Sequence, residues 1–512
     1  MVFIWIFLPI VFAGNFILQK IGGNKLANVL LLMASIFFYA WGEPIYVFLM
    51  IFSITLNWVG GMVVGRLGQG RSGHGGSGQD RSGQGGSESG RSGQGGSGSG
   101  RSGQGGSGTD GPVQTRTGHL ALGVVVVLNL ALLGFFKYAG MAVSTLNALL
   151  GTHFTDPKIS LPIGISFFTF QALSYVVDVY RGECEVQKNY FKLALYVSFF
   201  PQLIAGPIVK YKDVADQIDH RTISLEQTAS GIRRFIYGFG KKVILANTLA
   251  LGADKIYELG MQDMSTGLAW AASLFYTFQI YYDFSGYSDM AIGLGRMFGF
   301  EFHENFNYPY TSTSIKEFWR RWHISLGSWF KDYVYIPLGG NRKGRARTYL
   351  NLVIVFFLTG LWHGASWSFV LWGMIHGAFS ILERSPFGKW IARHKICGFL
   401  YTFLVTNFAW VFFRIENIRD AWHIIERMVM PWAYLTTTAS LDQIFTKKLI
   451  FIFIFSVLAC GPVQRIAMEK LPNLDKKWKY SWIEIGLGVL VFLLAISTLA
   501  SNTYNPFIYF RF

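Results

Sequence analysis

The chain has 512 residues, of which 51% are apolar, 17% aromatic and only 14% charged. Soluble domains carry about 25% charged residues. Many runs here reach the roughly 20 apolar residues that cross a bilayer core of about 30 Å, so a soluble fold is excluded and an all-α polytopic membrane protein is predicted. Lys+Arg number 45 against 29 Asp+Glu, a net charge of +16. These cations fall in short loops between apolar runs, the pattern of cytoplasmic loops, and no groove-reading motif argues for nucleic acid.

Residues 1–19 lack a basic leader and a small-residue cleavage site, and read as a first membrane span rather than a removed signal. Residues 26–41 and 45–64 follow, joined by the turn Gly42-Glu43-Pro44. Residues 68–112 then hold 20 of the 58 glycines, and 71–110 are four copies of a decapeptide that opens Arg-Ser-Gly. With no apolar face to bury, this stretch is predicted to be a disordered linker, either a tolerated loop insertion or a tether. The chain divides into N-terminal transmembrane helices (1–67), the linker (68–112) and a transmembrane core (113–512).

In the core, apolar runs lie at 119–136 and near 161–180, 190–208, 231–252, 265–281, 284–299, 350–381, 399–413, 448–462 and 482–500. About 11 spans are expected, with some segments re-entrant. Pro162, Gly164, Pro201, Gly206 and Pro207 interrupt two runs. Such breaks mark either a cavity in the bundle or proline kinks between packed helices. Loops 209–242, 301–349 and 384–397 are rich in Lys and Arg and are predicted to be cytoplasmic. Three apolar runs separate the first two loops, so one must be re-entrant or paired. The 34 residues of 348–381 suit two short spans, out and back.

Cys184, Cys397 and Cys460 are scattered and form neither a disulfide framework nor a metal set. Of ten histidines, His74, His119, His153, His220, His303, His394 and His423 fall in polar or loop surroundings. His323, His363 and His376 lie in apolar ones, where an ionisable residue suggests function; the alternative is a packing histidine bonded to a neighbour. His363 lies 14 residues past the basic loop, about 21 Å along a helix. Glycines flank it and Trp362 and Trp367 adjoin it. Burial there favours the uncharged ring, the form that a general base requires. His376 is 13 positions on, about 220° around the helix, and reads as structural. His323 sits among Trp319, Trp322, Arg320 and Arg321. That setting fits either an interfacial anchoring helix or the inner mouth of a cavity for an anionic donor. Asp283 and Asp289 lie about 240° apart on a helix and are expected to pair with Arg296 or Lys241. No nucleophile elbow, P-loop or zinc motif occurs.

The stretch FWRRWHISLGSWFKDYVYIPLGGNR, followed by LTGLWHGASW, resembles the membrane-bound O-acyltransferases (MBOAT), and most closely their alginate O-acetylation (AlgI-like) branch. FFYAWGEP, FFKYAG, LPIGISFFTFQALSYVVDVYRG, FPQLIAGPIV, YYDFSGYSDMA and the closing NPFIYFRF extend the resemblance nearly end to end; the decapeptides depart from it. The resemblance implies a ring of transmembrane helices around a central tunnel in the cell (inner) membrane. It implies transfer of an acyl group, acetyl in this branch, from a cytoplasmic thioester donor such as acetyl-CoA to hydroxyls of an exported polysaccharide such as alginate. No bound cofactor or metal is implied. A second exported acetyltransferase is the implied partner, alongside membrane lipids. The family's two histidines map onto His323 and His363. His363 is taken as the base and His323 as its essential partner. Trp319, Arg320, Arg321, Trp322, Trp362, Gly364, Ser366 and Trp367 are tunnel-lining candidates, with the small run Gly364-Ala365-Ser366 admitting a slim acyl chain. The alternatives are D-alanyl transfer to teichoic acid (a DltB-like activity), acetylation of peptidoglycan or cellulose, and a transporter or non-catalytic scaffold.

Overall fold

Glycine and proline decide where the apolar runs break. A computed structural model describes residues 2–68, 115–204, 206–463 and 482–501; the decapeptides and the closing NPFIYFRF lie outside the described residues. Among the described residues every regular element is helical. α1 (Leu8–Gly42) contains the first two predicted spans. Gly22 and Gly23 leave helical space within it, Gly23 at φ +64°. The chain doubles back there, and a Cβ on Gly14 would lie 2.9 Å from Leu30.

α2 (Tyr46–Gly68) and α3 (Arg116–Leu150) follow. Thr115 caps α3 by accepting the Gly118 N–H, and its hydroxyl donates to Leu67 O in the last turn of α2. α4 (Ile165–Arg181) and α5 (Tyr190–Ser198) come from the two interrupted runs, with α6 (Tyr211–His220) after them. The interruptions pack on one another: Gly164 has φ +77°, and a Cβ there would lie 2.9 Å from Leu203 O.

α7 (Leu225–Gly240), a π-helical turn (Lys241–Ala246) and α8 (Asn247–Tyr257) form a continuous helical path. α9 (Thr266–Met297) packs back along it. The sequence predicted two spans at 265–281 and 284–299; the structure makes them one helix. Asp283 does not break it, because Lys242 neutralises the carboxylate. Two long helical segments, 225–257 and 266–297, therefore stand where the sequence suggested three runs. Small residues let the rods touch. A Cβ on Gly231 would lie 2.6 Å from Gly293 O, and one on Gly238 2.6 Å from Gly286 O.

α10 (Ile315–Arg321), α11 (Ile324–Phe330) and a π-helical turn (Lys331–Tyr335) come next. This segment is not a peripheral loop: Phe318, Trp322, Leu326 and Trp329 are buried in the core. α12 (Gly344–His363) and α13 (Trp367–Leu382) make the predicted out-and-back pair. α14 (Pro386–Arg393), α15 (Lys395–Arg414), α16 (Ile418–Val429), α17 (Leu441–Ile444), α18 (Lys447–Ala459) and α19 (Trp482–Ser501) complete the described chain.

One hydrophobic core gathers α1–α6, and a second gathers α9–α13, α15 and α18. Among the described residues five helices are long and apolar enough to cross a bilayer: Phe3–Gly42, Tyr46–Gly68, Arg116–Leu150, Lys395–Arg414 and Trp482–Ser501. Their outer faces present bare apolar side chains, such as Leu490 and Leu493 on α19. In water such a surface would be an aggregation liability; in lipid it is the expected exterior. Other predicted spans are shorter or more enclosed, such as α4, most of whose residues are buried.

Candidate active site

His323 stands between α10 and α11, where the backbone turns through the left-handed region at φ 44°, ψ 55°. For a side-chain-bearing residue this conformation costs on the order of 1 kcal/mol, and Asn305 holds it in place. The Asn305 carbonyl accepts the Ile324 N–H at 3.0 Å. Asn305 Oδ1 accepts the Ser325 N–H at 3.2 Å and the Ser325 hydroxyl at 2.9 Å, and lies 3.1 Å from His323 Nδ1. A backbone N–H can only donate, so the amide atom facing Ser325 is the oxygen. Nδ1 of His323 then carries the ring proton and Nε2 the lone pair. The Asn305 amide donates to Ser288 Oγ at 3.0 Å, and Ser325 Oγ accepts the Ile208 N–H at 3.0 Å. His323 is fully buried, and Nε2 has no hydrogen-bond partner among the described residues.

His363 is the last residue of α12, which stops because Gly364 is extended. Its ring centroid lies 6.4 Å from that of His323, 5.0 Å from Trp362, 4.9 Å from Trp372 and 5.2 Å from Phe413. The two histidines come together because α10 and α11 turn inward from a segment whose charges read as a cytoplasmic loop.

A cavity of about 740 Å³ opens beside the chain segments that carry them. Lys316, Arg320, Lys331 and Arg384 line it, together with Trp319, Leu326, Val355 and Phe356. It reaches Ile324, next to His323 in sequence, and Thr359, one turn before His363; neither imidazole lines it. Glu383 also lines it and accepts the Lys316 N–H at 3.0 Å. Burial pushes the Glu383 carboxyl up, against the pull of the Lys316 and Ile315 N–H groups. A second cavity, about 420 Å³, shares Ile324 and is walled by Asn305, Ser288 and the ion-paired Arg234, Lys241, Asp289 and Glu304.

The other candidates divide. Trp319 and Arg320 line the larger cavity. Trp362 packs against both imidazoles, 5.9 Å from His323 and 5.0 Å from His363. Arg321 turns away to Glu317 at 2.8 Å. Trp322 is core, stacked on Phe318 and tilted against Trp410. Gly364, Ser366 and Trp367 stand outside both cavities. A Cβ on Gly364 would strike the Phe369 ring, so that glycine is packed, whereas Ala365 is exposed and Ser366 half-buried. Ser366 caps α13, and the half-exposed Trp367 donates to Thr145 at 3.1 Å. His376 packs against Phe318, Trp319 and Trp372. Asp289 takes Lys241, one of the expected partners, and also Arg234; Arg296 instead donates to Ser230. Among the described residues no three of His, Cys, Asp and Glu converge as a metal ion would require. Sequence reasoning passed over Asn305, which sits in the irregular stretch 301–308 and reaches His323 from 18 residues away only through the turn of the chain.

The family profile of MBOAT, the membrane-bound O-acyltransferase family, matches residues 186–418. The "Probable alginate O-acetylase AlgI" of Pseudomonas putida is 37% identical over 100% of this chain and 99% of its own length. The peptidoglycan O-acetyltransferase of Helicobacter pylori is 32% identical over 100% of this chain and 96% of its own. The teichoic acid D-alanyltransferase of Bacillus subtilis is more distant, 28% identical over 46% of this chain and 61% of its own. The matched region holds both buried histidines and Asn305, and the end-to-end relatives extend the likeness to the helices around them: this multi-pass membrane protein belongs to the membrane-bound O-acyltransferase family.

Proposed function

We propose that the chain moves acetyl groups from a thioester donor on the cytoplasmic side of the cell membrane towards hydroxyls of an exported polysaccharide. The observation that carries this reading is the buried imidazole pair, 6.4 Å apart, together with a cavity that is lined by four cations and reaches Ile324 and Thr359 on the same segments. The cations suit the phosphates of a donor such as acetyl-CoA, and the apolar wall suits its acyl end. The names of the full-length relatives support acetyl over D-alanyl transfer. A second exported acetyltransferase would complete delivery to the polymer.

The hydrogen bonds favour His323 as the base, the reverse of the roles expected from sequence. Asn305 fixes the Nδ1–H tautomer and leaves Nε2 to accept a proton. The acceptor hydroxyl gives its proton to Nε2 as its oxygen adds to the thioester carbonyl. The tetrahedral adduct expels sulfur, and the thiolate takes the proton back from the imidazolium. General-base help of this kind contributes about 10²–10⁴-fold. His363 is the second essential ring, placed to orient donor or acceptor.

Ester-bound acetate on the cell's exported polysaccharide tests the reading. The native chain is compared with His323→Ala and His363→Ala, each at normal membrane abundance. Loss of acetate in both variants is the expected result. Acetate persisting in both would support a scaffold or transporter instead, and D-alanine without acetate would support the teichoic acid chemistry.

A further inference from the structure

An α-helix ends with carbonyls that lack intrahelical partners. At the end of α12, which carries His363, α3 supplies those partners from two adjacent residues. The Tyr138 hydroxyl donates to Leu361 O at 2.7 Å. The Lys137 ammonium donates to Trp362 O, to His363 O at 3.4 Å and to Ser166 Oγ at 3.3 Å. Lys137 is buried in the second half of α3, and no carboxylate pairs with it among the described ion pairs. Its three N–H donors match these three acceptors. Its charge also meets the negative end of the α12 dipole.

We propose that Lys137 is a positioning residue for acyl transfer, clamping the end of α12 so that His363 is held at a fixed depth and direction beside His323. The inference rests on the proposed role of that histidine pair. It also accounts for the FFKYAG motif, whose Lys-Tyr pair caps the histidine helix while Ser166 ties that cap to the first turn of α4.

The test uses the full chain in its native membrane, with ester acetate normalised to the amount of folded chain recovered in detergent. Lys137→Met is expected to lose about 100-fold per folded molecule, the scale on which a 1 Å misplacement acts. Lys137→Arg, which keeps a cation able to meet the same carbonyls, is expected to recover at least tenfold of that loss. A purely structural role would lower the yield of folded chain and leave acetate per folded molecule unchanged, and that result overturns the proposal. So does Lys137→Arg performing no better than Lys137→Met when both fold. If Lys137→Met fails to accumulate, Lys137→Gln is read in the same way: a tenfold fall supports the clamp, and native acetate per molecule overturns it. Acetate that survives His323→Ala and His363→Ala sinks the reading of the site itself. Acetate lost in those variants but kept in Lys137→Met sinks only the clamp.

Discussion

Asn305 sets which nitrogen of His323 can act. Its Oδ1 meets Nδ1 while two donors from Ser325 fix that oxygen in place. Asn305→Ala is therefore expected to free the ring and lower acetate transfer by about 10²-fold at normal abundance. Asn305→Asp keeps an acceptor facing Nδ1 and is expected to retain more activity than the alanine variant. Equal activity in the two, measured as ester acetate per folded chain, would detach Asn305 from the chemistry. Both histidines were legible in the sequence because ionisable rings in apolar runs are conspicuous. Their proximity was not, since 40 residues and a reversal of chain direction lie between them. Lys137 stands just past the apolar run 119–136, where a cation reads as the end of a span. Only the structure shows the carbonyls that it serves.

Between elements, glycine sets the spacing. The α7–α9 contact runs through Gly231 against Gly293 and Gly238 against Gly286, pairs seven residues apart on each helix. Gly238→Val is expected to cost about 1–3 kcal/mol, seen as a lower melting temperature in detergent, because even a Cβ there would crowd Gly286 O. The α12–α13 hairpin is tighter still: a Cβ on Gly373 would overlap Phe356 O. Gly373→Ala is expected to push α12 outward and, as the helix carries His363, to lower acetate per folded molecule as well as stability. Unchanged acetate per folded molecule would show that the hairpin spacing does not reach the site. The hairpin itself was legible from length alone, because the 34 residues of 348–381 exceed one span. The unity of α9 was not. The sequence has a charged, glycine-bearing stretch around Asp283, and only the structure shows Lys242 of the neighbouring rod pairing with that carboxylate.

At the scale of the whole molecule, composition sufficed for the class: helices with bare apolar outer faces belong in lipid. The inward course of α10 and α11 was hidden by their charge. Lys316, Arg320 and Lys331 look like loop residues, and in the structure they line a cavity, while Arg321 is paired with Glu317. The decapeptides fall outside the described residues, but their flanks do not. Thr115 bonds to Leu67 O, and a Cβ on Gly118 would lie 2.7 Å from Gly68 Cα. Two chain ends already in contact can be bridged by a handful of residues. By the length dependence of loop closure alone, going from 46 linking residues to about five changes the cost of ring closure by only about 2 kcal/mol. Replacing 69–114 with a short Gly-Ser link is accordingly expected to leave acetate transfer and membrane abundance unchanged. A large loss of either would reveal a function in the repeats.

The same contact makes the covalent bond between the two parts dispensable. α2 packs against α3 and α4 through side chains, with Asn57 and Asn129 exchanging amide hydrogen bonds at 2.9 and 3.0 Å deep in that seam. Residues 1–68 and 115–512, made as separate polypeptides in one membrane, would meet along a surface already complementary in shape and polarity. Co-expression of the two fragments is accordingly expected to restore acetate transfer without the linking residues.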